Sequence, residues 1–402
     1  MLPLAAAWLQ PTTVKPKDLR VALFSGNYNY VRDGANQALN RLVGYLLRQG
    51  VQVRVYSPTV KKPAFPATGD VVSIPAIPFP GREEYRLPIA IPARVKRDLR
   101  EFDPNVLHVS SPDIVSHRAL SWARRNKVAT VASVHTRFDT YLEYYHLQVF
   151  EPAARAIMRR FYHRCEVVMA PAESTAAILR AQRMNRDITI WARGIDREQF
   201  NPERRDMEWR RSLGIDDDEL VIAFLGRVVM EKGLDVFSDA IHAFEERRLK
   251  HRVLVIGEGP ARPWFEAQLP DAIFTGQLTG SGLSRALASA DVLLNPSITE
   301  AFGNVTLEAM ACALPVVAAE GSGTTNIVRR GVTGMIVDPE EVDEFVDALA
   351  LYATDPELRR RHGQAGLEIA KTMDWDTINS AVVRTYMHAI VKRERLARMM
   401  GR

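Results

Sequence analysis

Only two cysteines, Cys165 and Cys312, occur in 402 residues. That scarcity excludes a disulfide framework and suits a reducing compartment. Nowhere does an apolar run approach the roughly 20 residues that a membrane-spanning helix needs. The N-terminal MLPLAAAWLQ is apolar, yet it lacks the basic flank and the long hydrophobic core of a signal peptide. No G-x-G-x-x-G follows the first strand-like run, and VIGEGP at 255–260 does not supply one, so the nicotinamide fingerprint is missing. These absences argue against a stapled secreted domain, a membrane-spanning protein and a dinucleotide oxidoreductase, and they favour the cytoplasm.

What is present is a soluble globular composition, 47% hydrophobic and 25% charged. The length suits two domains of about 150 to 200 residues each. Short β-branched runs alternate with helical patterns, the mark of an α/β chain with parallel sheets. Strands are expected at 20–25, 52–57, 106–111, 129–135, 167–171 and 188–192, then at 220–226, 252–257, 272–276, 292–297, 315–319 and 334–338. Each half reads as a doubly wound sheet. Between them, RGIDREQFNPERRDMEWRRSLGIDDDEL loses strand periodicity. The expected division is 1–198, 199–373 and a terminal helical segment, 374–402, long enough to pack back on the first domain. Open α/β sheets bind ligands at the carboxyl ends of their strands, so a cleft between two facing sheets is expected.

Four strand-to-helix junctions carry candidate chemistry. In EAFGNVTLE, Glu300 precedes a helix start and Glu308 lies inside it. The backbone N–H groups of Gly303, Asn304 and Val305 would be the donors of that start, where the helix dipole favours a phosphate. Glu308 could then accept from ribose hydroxyls while Glu300 faces the other end of the ligand, a spacing that suits a nucleotide-sugar. The dipole alone also selects a first-turn acid, so this motif is ordinary when taken singly. In FLGRVVMEKGLDVF, Arg227 and Lys232 flank another helix start, where two cations oppose the dipole unless an anion is bound. In YVRDGANQALNRL, Gly34 follows Asp33 and permits close backbone approach. In SVHTRFDTYLEYY, His135 ends a strand. A lone glycine or histidine there is equally met as a turn residue or a satisfied structural ring.

A net charge of +5 and a pI near 9.2 attract anionic partners. Two stretches, 154–164 (ARAIMRRFYHR) and 391–402 (VKRERLARMMGR), read as basic amphipathic helices able to lie on an anionic membrane, or as solvated helix faces. Asp216, Asp217 and Asp218 sit in a polar connection and Asp374 and Asp376 at a helix start, so no metal site is expected. No cofactor and no nucleic-acid partner is expected either.

Taken in order, these segments resemble the retaining nucleotide-sugar glycosyltransferases of family four. The most specific parts are GRVVMEKG, NPSITEAFGNVTLEAMACALPVVAAEGSG and MDWD. The resemblance implies the GT-B architecture, two Rossmann-like doubly wound domains facing a cleft with a C-terminal helix returning to the first. It implies that Arg227 and Lys232 bind the donor diphosphate and Glu308 the ribose. Glu300, with the backbone from Phe302 to Asn304, would hold the transferred sugar. The segment TGQLTG, through Leu278, would hold the base, His135 would touch the sugar near its reacting carbon, and Gly34 would let its loop close over phosphates. Retention is usually explained there by same-face attack, the leaving diphosphate taking the acceptor proton, with no protein nucleophile and no metal. A hydrolase pair of carboxylates would leave Arg227 and Lys232 without a use.

RVALFSGNYNYVRDGA, SVHTRFDTYLEYYHL and WARGIDREQFNP are most similar to the branch holding α-mannosyltransferases and sulfoquinovosyl- or glucuronosyl-lipid synthases. Arg137, beside Asp139, and Arg193 could pair with an acidic sugar or headgroup, or form structural ion pairs. The expected partners are a nucleotide-sugar, UDP-linked by preference, and a lipid or saccharide acceptor. An anionic membrane on its cytoplasmic face is the expected location, and oligomeric state is not legible.

Overall fold

Every expected strand is found, and each runs parallel to its sheet neighbours, in most cases after a helix has returned the chain. The computed structural model describes residues 14–79, 82–135, 151–300, 302–321 and 323–400. Chain contacts divide it into two compact units, Met1–Ala192 with Asp376–Arg402, and Arg193–Trp375.

The first unit runs β1 (Arg20–Phe24), α1 (Gly34–Arg48), β2 (Gln52–Ser57), β3 (Asp70–Ser73), β4 (Ala76–Phe79), β5 (Arg82–Pro88), α2 (Ala93–Phe102), β6 (Val106–Val109), α3 (Ile114–Arg125), β7 (Ala129–Ser133), α4 (Glu151–Tyr162), β8 (Val167–Ala170), α5 (Glu173–Ala181) and β9 (Ile188–Ile190). Its parallel sheet has the order β3-β2-β1-β6-β7-β8-β9, and β4 and β5 form a separate antiparallel hairpin. Three of these strands escape sequence reading. β3 is a short edge strand without buried residues, and the hairpin strands carry Pro78 and Pro88, which strand patterns disfavour. The central strands β6, β7 and β8 are buried on both faces, so they read as continuous apolar runs.

The second unit runs α6 (Met207–Ser212), β10 (Leu220–Leu225), α7 (Leu234–Glu245), β11 (His251–Ile256), α8 (Arg262–Gln268), β12 (Ile273–Gly276), α9 (Gly280–Ala288), β13 (Val292–Asn295), α10 (Asn304–Ala311), β14 (Val316–Ala319), β15 (Gly334–Val337), α11 (Val342–Thr354) and α12 (Pro356–Lys371). The sheet order is β12-β11-β10-β13-β14-β15. An aromatic cluster of Phe224, Phe237 and Phe265, with ring centroids 5.5 to 5.6 Å apart, fills the core beneath β10. The foot of β13 is pinned by Asp291, which bonds Arg205 at 2.7 Å and the buried Arg210 at 2.8 Å. Burial alone would push the Asp291 carboxyl up; the two guanidiniums overcome it and hold the group below the usual range.

α13 (Trp375–Met400) closes the chain. It belongs almost wholly to the first unit, where Val382, Val383, Tyr386, Ala389 and Ile390 are buried. Among the described residues, no helix is long and apolar enough to cross a membrane.

Candidate functional site

In both sheets the strand order reverses beside the first strand of the unit, and a crevice at the carboxyl ends opens at such a point. In the second unit the reversal falls between β10 and β13. The loops leaving those two strands carry Arg227, Lys232 and the segment from Glu300 to Glu308. Residues far apart in sequence are thus neighbours because their strands pair, Ile222 opposite Val292 and Ala223 opposite Leu293.

The loop after β10 turns at Gly226, φ 154°, and ends in a short 3-10 turn, Met230–Lys232. Gly233, φ 73°, then starts α7 from a left-handed conformation. A Cβ at Gly233 would lie 3.1 Å from the Pro296 carbonyl oxygen, so the loops after β10 and β13 are in close packing. They are also bonded: the Thr299 hydroxyl donates to the Glu231 carbonyl at 3.0 Å, and the Lys232 ammonium donates to Glu300 Oε1 at 2.5 Å. Lys232 and Glu300 are each partly buried, at 28% and 16% side-chain exposure, which gives the pair more weight than one on open surface. Arg227 is half-buried on the same loop.

α10 begins at Asn304, with Gly303 as its N-cap at φ 94° and no side chain capping the start. Gly303 and Phe302 are buried, while Asn304, Val305 and Glu308 are half-buried. A helix start capped by a glycine leaves backbone donors to be satisfied by something other than its own side chain. The loop after β14 closes the other side. At Gly323 a Cβ would come within 2.5 Å of the Glu300 carbonyl oxygen, and at Gly321 within 3.2 Å of the Ile298 Cα, so glycine alone permits this approach. Sequence alone assigns Gly321 and Gly323 no role, although AEGSG directly after a buried strand is a signal of close loop approach. The loops after β10 and β11 are fused in the same way, a Cβ at Gly257 falling 1.8 Å from the Gly226 oxygen. Leu278 lies half-buried between β12 and α9. Arg193, the first residue of this unit, is 4% exposed, and burial pulls its guanidinium down to about 10.

In the first unit the reversal falls between β1 and β6. Gly34 is the first residue of α1, and Asp33 caps that helix by accepting from the Asn36 N–H at 2.8 Å. A Cβ at Gly26 would meet the Asp113 carboxylate at 3.1 Å, which brings the loops after β1 and β6 together. His135 follows β7; its Nε2 shares a 2.8 Å hydrogen bond with the Ser133 hydroxyl, and its ring stands edge-on to Trp191 at 5.4 Å. Arg137 and Asp139 lie outside the described residues. Among the described residues no group of three His, Cys, Asp or Glu side chains is placed to hold a metal ion.

Doubly wound sheets with glycine-tightened loops at their reversal points are a frame for nucleotide-binding enzymes. Residues 219–355 match the family model described as Glycosyl transferases group 1, and residues 32–199 that described as Glycosyltransferase Family 4. The GDP-mannose-dependent alpha-mannosyltransferase of Mycolicibacterium smegmatis is 31% identical over 382 residues, 93% of this chain and 99% of that one. The sulfoquinovosyl transferase SQD2 of Arabidopsis thaliana is 30% identical over 92% of this chain and 73% of that one. Sucrose-phosphate synthase (tll1590) from Thermosynechococcus elongatus superposes with a TM-score of 0.75 at 18% identity, covering 91% of this chain and 98% of that one, a likeness of fold. The chain belongs to glycosyltransferase family four.

Proposed function

We propose that the protein is a retaining, metal-independent glycosyltransferase that moves a hexose or hexuronic acid from a UDP-sugar to a membrane lipid, forming an α-glycosidic bond. The observation that carries the reading is the junction at β10 and β13. There a cationic loop, an acid and a glycine-capped helix start are held together by the 2.5 Å contact between Lys232 and Glu300. Lys232 has Glu300 as a counter-ion. A donor diphosphate gives Lys232 and Arg227 a second anion, and the start of α10 can donate backbone N–H groups to it. Glu300 is then available to the sugar hydroxyls, and Glu308 to the ribose.

In the proposed reaction the acceptor oxygen bonds to the anomeric carbon on the face from which the diphosphate departs. The carbon–oxygen bond to the β-phosphate breaks, and the acceptor proton passes to a leaving phosphate oxygen. Arg227 and Lys232 stabilise the charge that grows on the diphosphate as the bond lengthens, so they act most strongly in the transition state. Leu278 is assigned to the base, Gly34 to the phosphate loop, His135 to the sugar. Arg137, Asp139 and Arg193 are assigned to an acidic group on sugar or lipid.

Support for a lipid acceptor comes from the first unit. The end of α13 and the residues that follow α4, His163 and Arg164, remote in sequence, border one groove of about 740 Å³, while the helical residues of α4 itself do not line it. Arg124, Lys127, Arg164, Arg186, Lys392 and Arg393 line it. The site of action is proposed to be the cytoplasmic face of the cell membrane.

The likeness to GDP-mannose-dependent relatives favours a second reading, mannosyl transfer to a saccharide or lipid-linked oligosaccharide. One experiment separates them: incubation with UDP- and GDP-sugars against diacylglycerol, ceramide and oligosaccharide acceptors, with the anomeric configuration of the product read by NMR. An α-linked lipid product from a UDP-sugar supports the first reading. Turnover confined to GDP-mannose and saccharides replaces it with the second, and an inverted product removes retention from both.

A further inference from the structure

Three hydrogen bonds of 2.8 Å run in series from α13 to the end of β7. Tyr386 OH meets His108 Nδ1, His108 Nε2 meets Ser133 Oγ, and Ser133 Oγ meets His135 Nε2. Tyr386 and His108 are fully buried and Ser133 is 2% exposed, so water does not compete with these links. Trp191 braces the row: its ring stands edge-on to His108 at 6.1 Å and to His135 at 5.4 Å, and its Nε1 donates to Asn379 Oδ1 at 3.2 Å. Asn379 and Tyr386 lie two turns apart on one face of α13. The helix thus supplies both ends of the brace.

The series has a direction. Burial holds His108 neutral, its pKa pulled down to about 3, and a neutral imidazole has one N–H and one bare nitrogen. A hydroxyl has one proton. Were both rings to donate to the Ser133 oxygen, the buried serine proton would have no acceptor, because Ser133 Oγ has no further hydrogen-bond partner among the described residues. Two arrangements remain in which each link fixes the next. In the first, Tyr386 donates to His108 Nδ1, His108 Nε2–H donates to Ser133, and Ser133 donates to His135 Nε2. In the second, every donor is reversed, and the proton of Tyr386 loses its acceptor, because His108 is its one hydrogen-bond partner among the described residues. A buried donor left unsatisfied costs more than an unused lone pair on a phenol oxygen. The first arrangement wins.

We propose that Tyr386 is a positioning residue that fixes His135 as the Nδ1–H tautomer, through His108 and Ser133. Nε2 of His135 is then occupied inside the fold as an acceptor, and the ring proton sits on Nδ1. Such a ring can hydrogen-bond a sugar oxygen but does not take a proton at Nδ1. That agrees with a reaction in which the departing diphosphate accepts the acceptor's proton. The role in catalysis rests on the reading of His135 as a sugar contact; the tautomer does not.

The test uses the full chain labelled with 15N-histidine, the ring protons being located by long-range 1H–15N correlation. Wild-type His135 should carry its proton on Nδ1, the tautomer that isolated imidazole disfavours. Tyr386→Phe keeps the ring in the core and removes the hydroxyl, and Ser133→Ala cuts the last link. Both should move His135 toward Nε2–H, whereas Ser133→Thr retains the hydroxyl and the wild-type pattern. With UDP-glucose or GDP-mannose, whichever turns over, kcat of Tyr386→Phe should fall on the order of tenfold, one hydrogen bond's worth, at little change in donor KM. A wild-type His135 protonated on Nε2, or one that stays Nδ1–H in both Tyr386→Phe and Ser133→Ala, overturns the proposal. If the tautomers behave as stated and His135→Ala is fully active, the relay stands and the sugar-contact reading fails.

Discussion

At the scale of single residues, the proposed reaction depends most on Lys232. Its ammonium is held by Glu300 at 2.5 Å, an arrangement that keeps a flexible side chain aimed at one place. Lys232→Ala should lower kcat by roughly a hundredfold, as the loss of one preorganised donor to a developing anion does. Its melting temperature should fall as well, since the largely buried Glu300 loses this partner, so the rate is compared at a temperature where both proteins are folded. Steady-state rates beside a thermal melt decide it, and a wild-type kcat removes Lys232 from the transition state. His108 makes a different prediction. Its pKa is about 3 in the fold against 6.5 when unfolded. Between these values the unfolded chain binds the extra proton, so stability is complete above about pH 6.5 and declines as pH falls toward 3. The limiting slope for one proton is about 1.4 kcal/mol per pH unit. His117 and His362, lowered by burial, tilt the curve the same way. Denaturant titrations at pH 7 and pH 5 should show the wild type losing stability and His108→Asn losing less; equal losses would remove His108 as the sensor.

At the scale of elements, the candidate site is held by close approach between loops more than by side-chain bulk. The loop after β14 lies so near Glu300 that a Cβ at Gly323 would sit 2.5 Å from its carbonyl oxygen and 2.6 Å from its Cβ. Gly323→Ala must displace one loop or the other. Displacements near 1 Å cost on the order of a hundredfold where groups must be aligned, so at least about a tenfold loss in kcat/KM is expected. Kinetics indistinguishable from wild type would mean that the position of Glu300 is unimportant. Much of this arrangement was legible beforehand. GRVVMEKG and EAFGNVTLE each showed a strand, a tight turn and a helix start, so Arg227, Lys232, Glu300 and Gly303 could be placed on carboxyl-edge loops from their own neighbourhoods. The Lys232–Glu300 contact was not legible, because it joins loops that sequence separates by three helices and three strands, α7 to β13. Nor were β3 and the β4–β5 hairpin, whose prolines and charges mask a strand pattern.

At the scale of the molecule, α13 has two duties within the first unit. Its buried face carries Tyr386 and Asn379 toward the histidine row, and its basic end borders the groove with Arg124 and Lys127. The groove lies at the amino end of β7, by Thr130, and His135 follows the carboxyl end of the same strand. A strand of that length spans about 15 Å. If the groove receives anionic headgroups, the full chain should float with vesicles containing phosphatidylglycerol at about 0.15 M salt and be released near 1 M, where the screening length falls to about 3 Å. The double variant Lys127→Glu with Arg186→Glu should bind more weakly. Absence of wild-type binding at the lower salt would remove membrane attachment, and the enzymatic reading would survive without it.

The sequence by itself determined the alternation of strands and helices, the division into doubly wound halves, and the loops that hold cations and acids. Those properties are local: period, glycine position and helix start are written within a dozen residues of one another. Only the tertiary structure decided that β10 lies against β13, that Gly323 touches Glu300, and that a tyrosine of the last helix reaches a histidine on the sixth strand. Such pairings depend on which remote surfaces bury each other after long loops have closed. No single stretch of sequence contains both partners of any of these contacts.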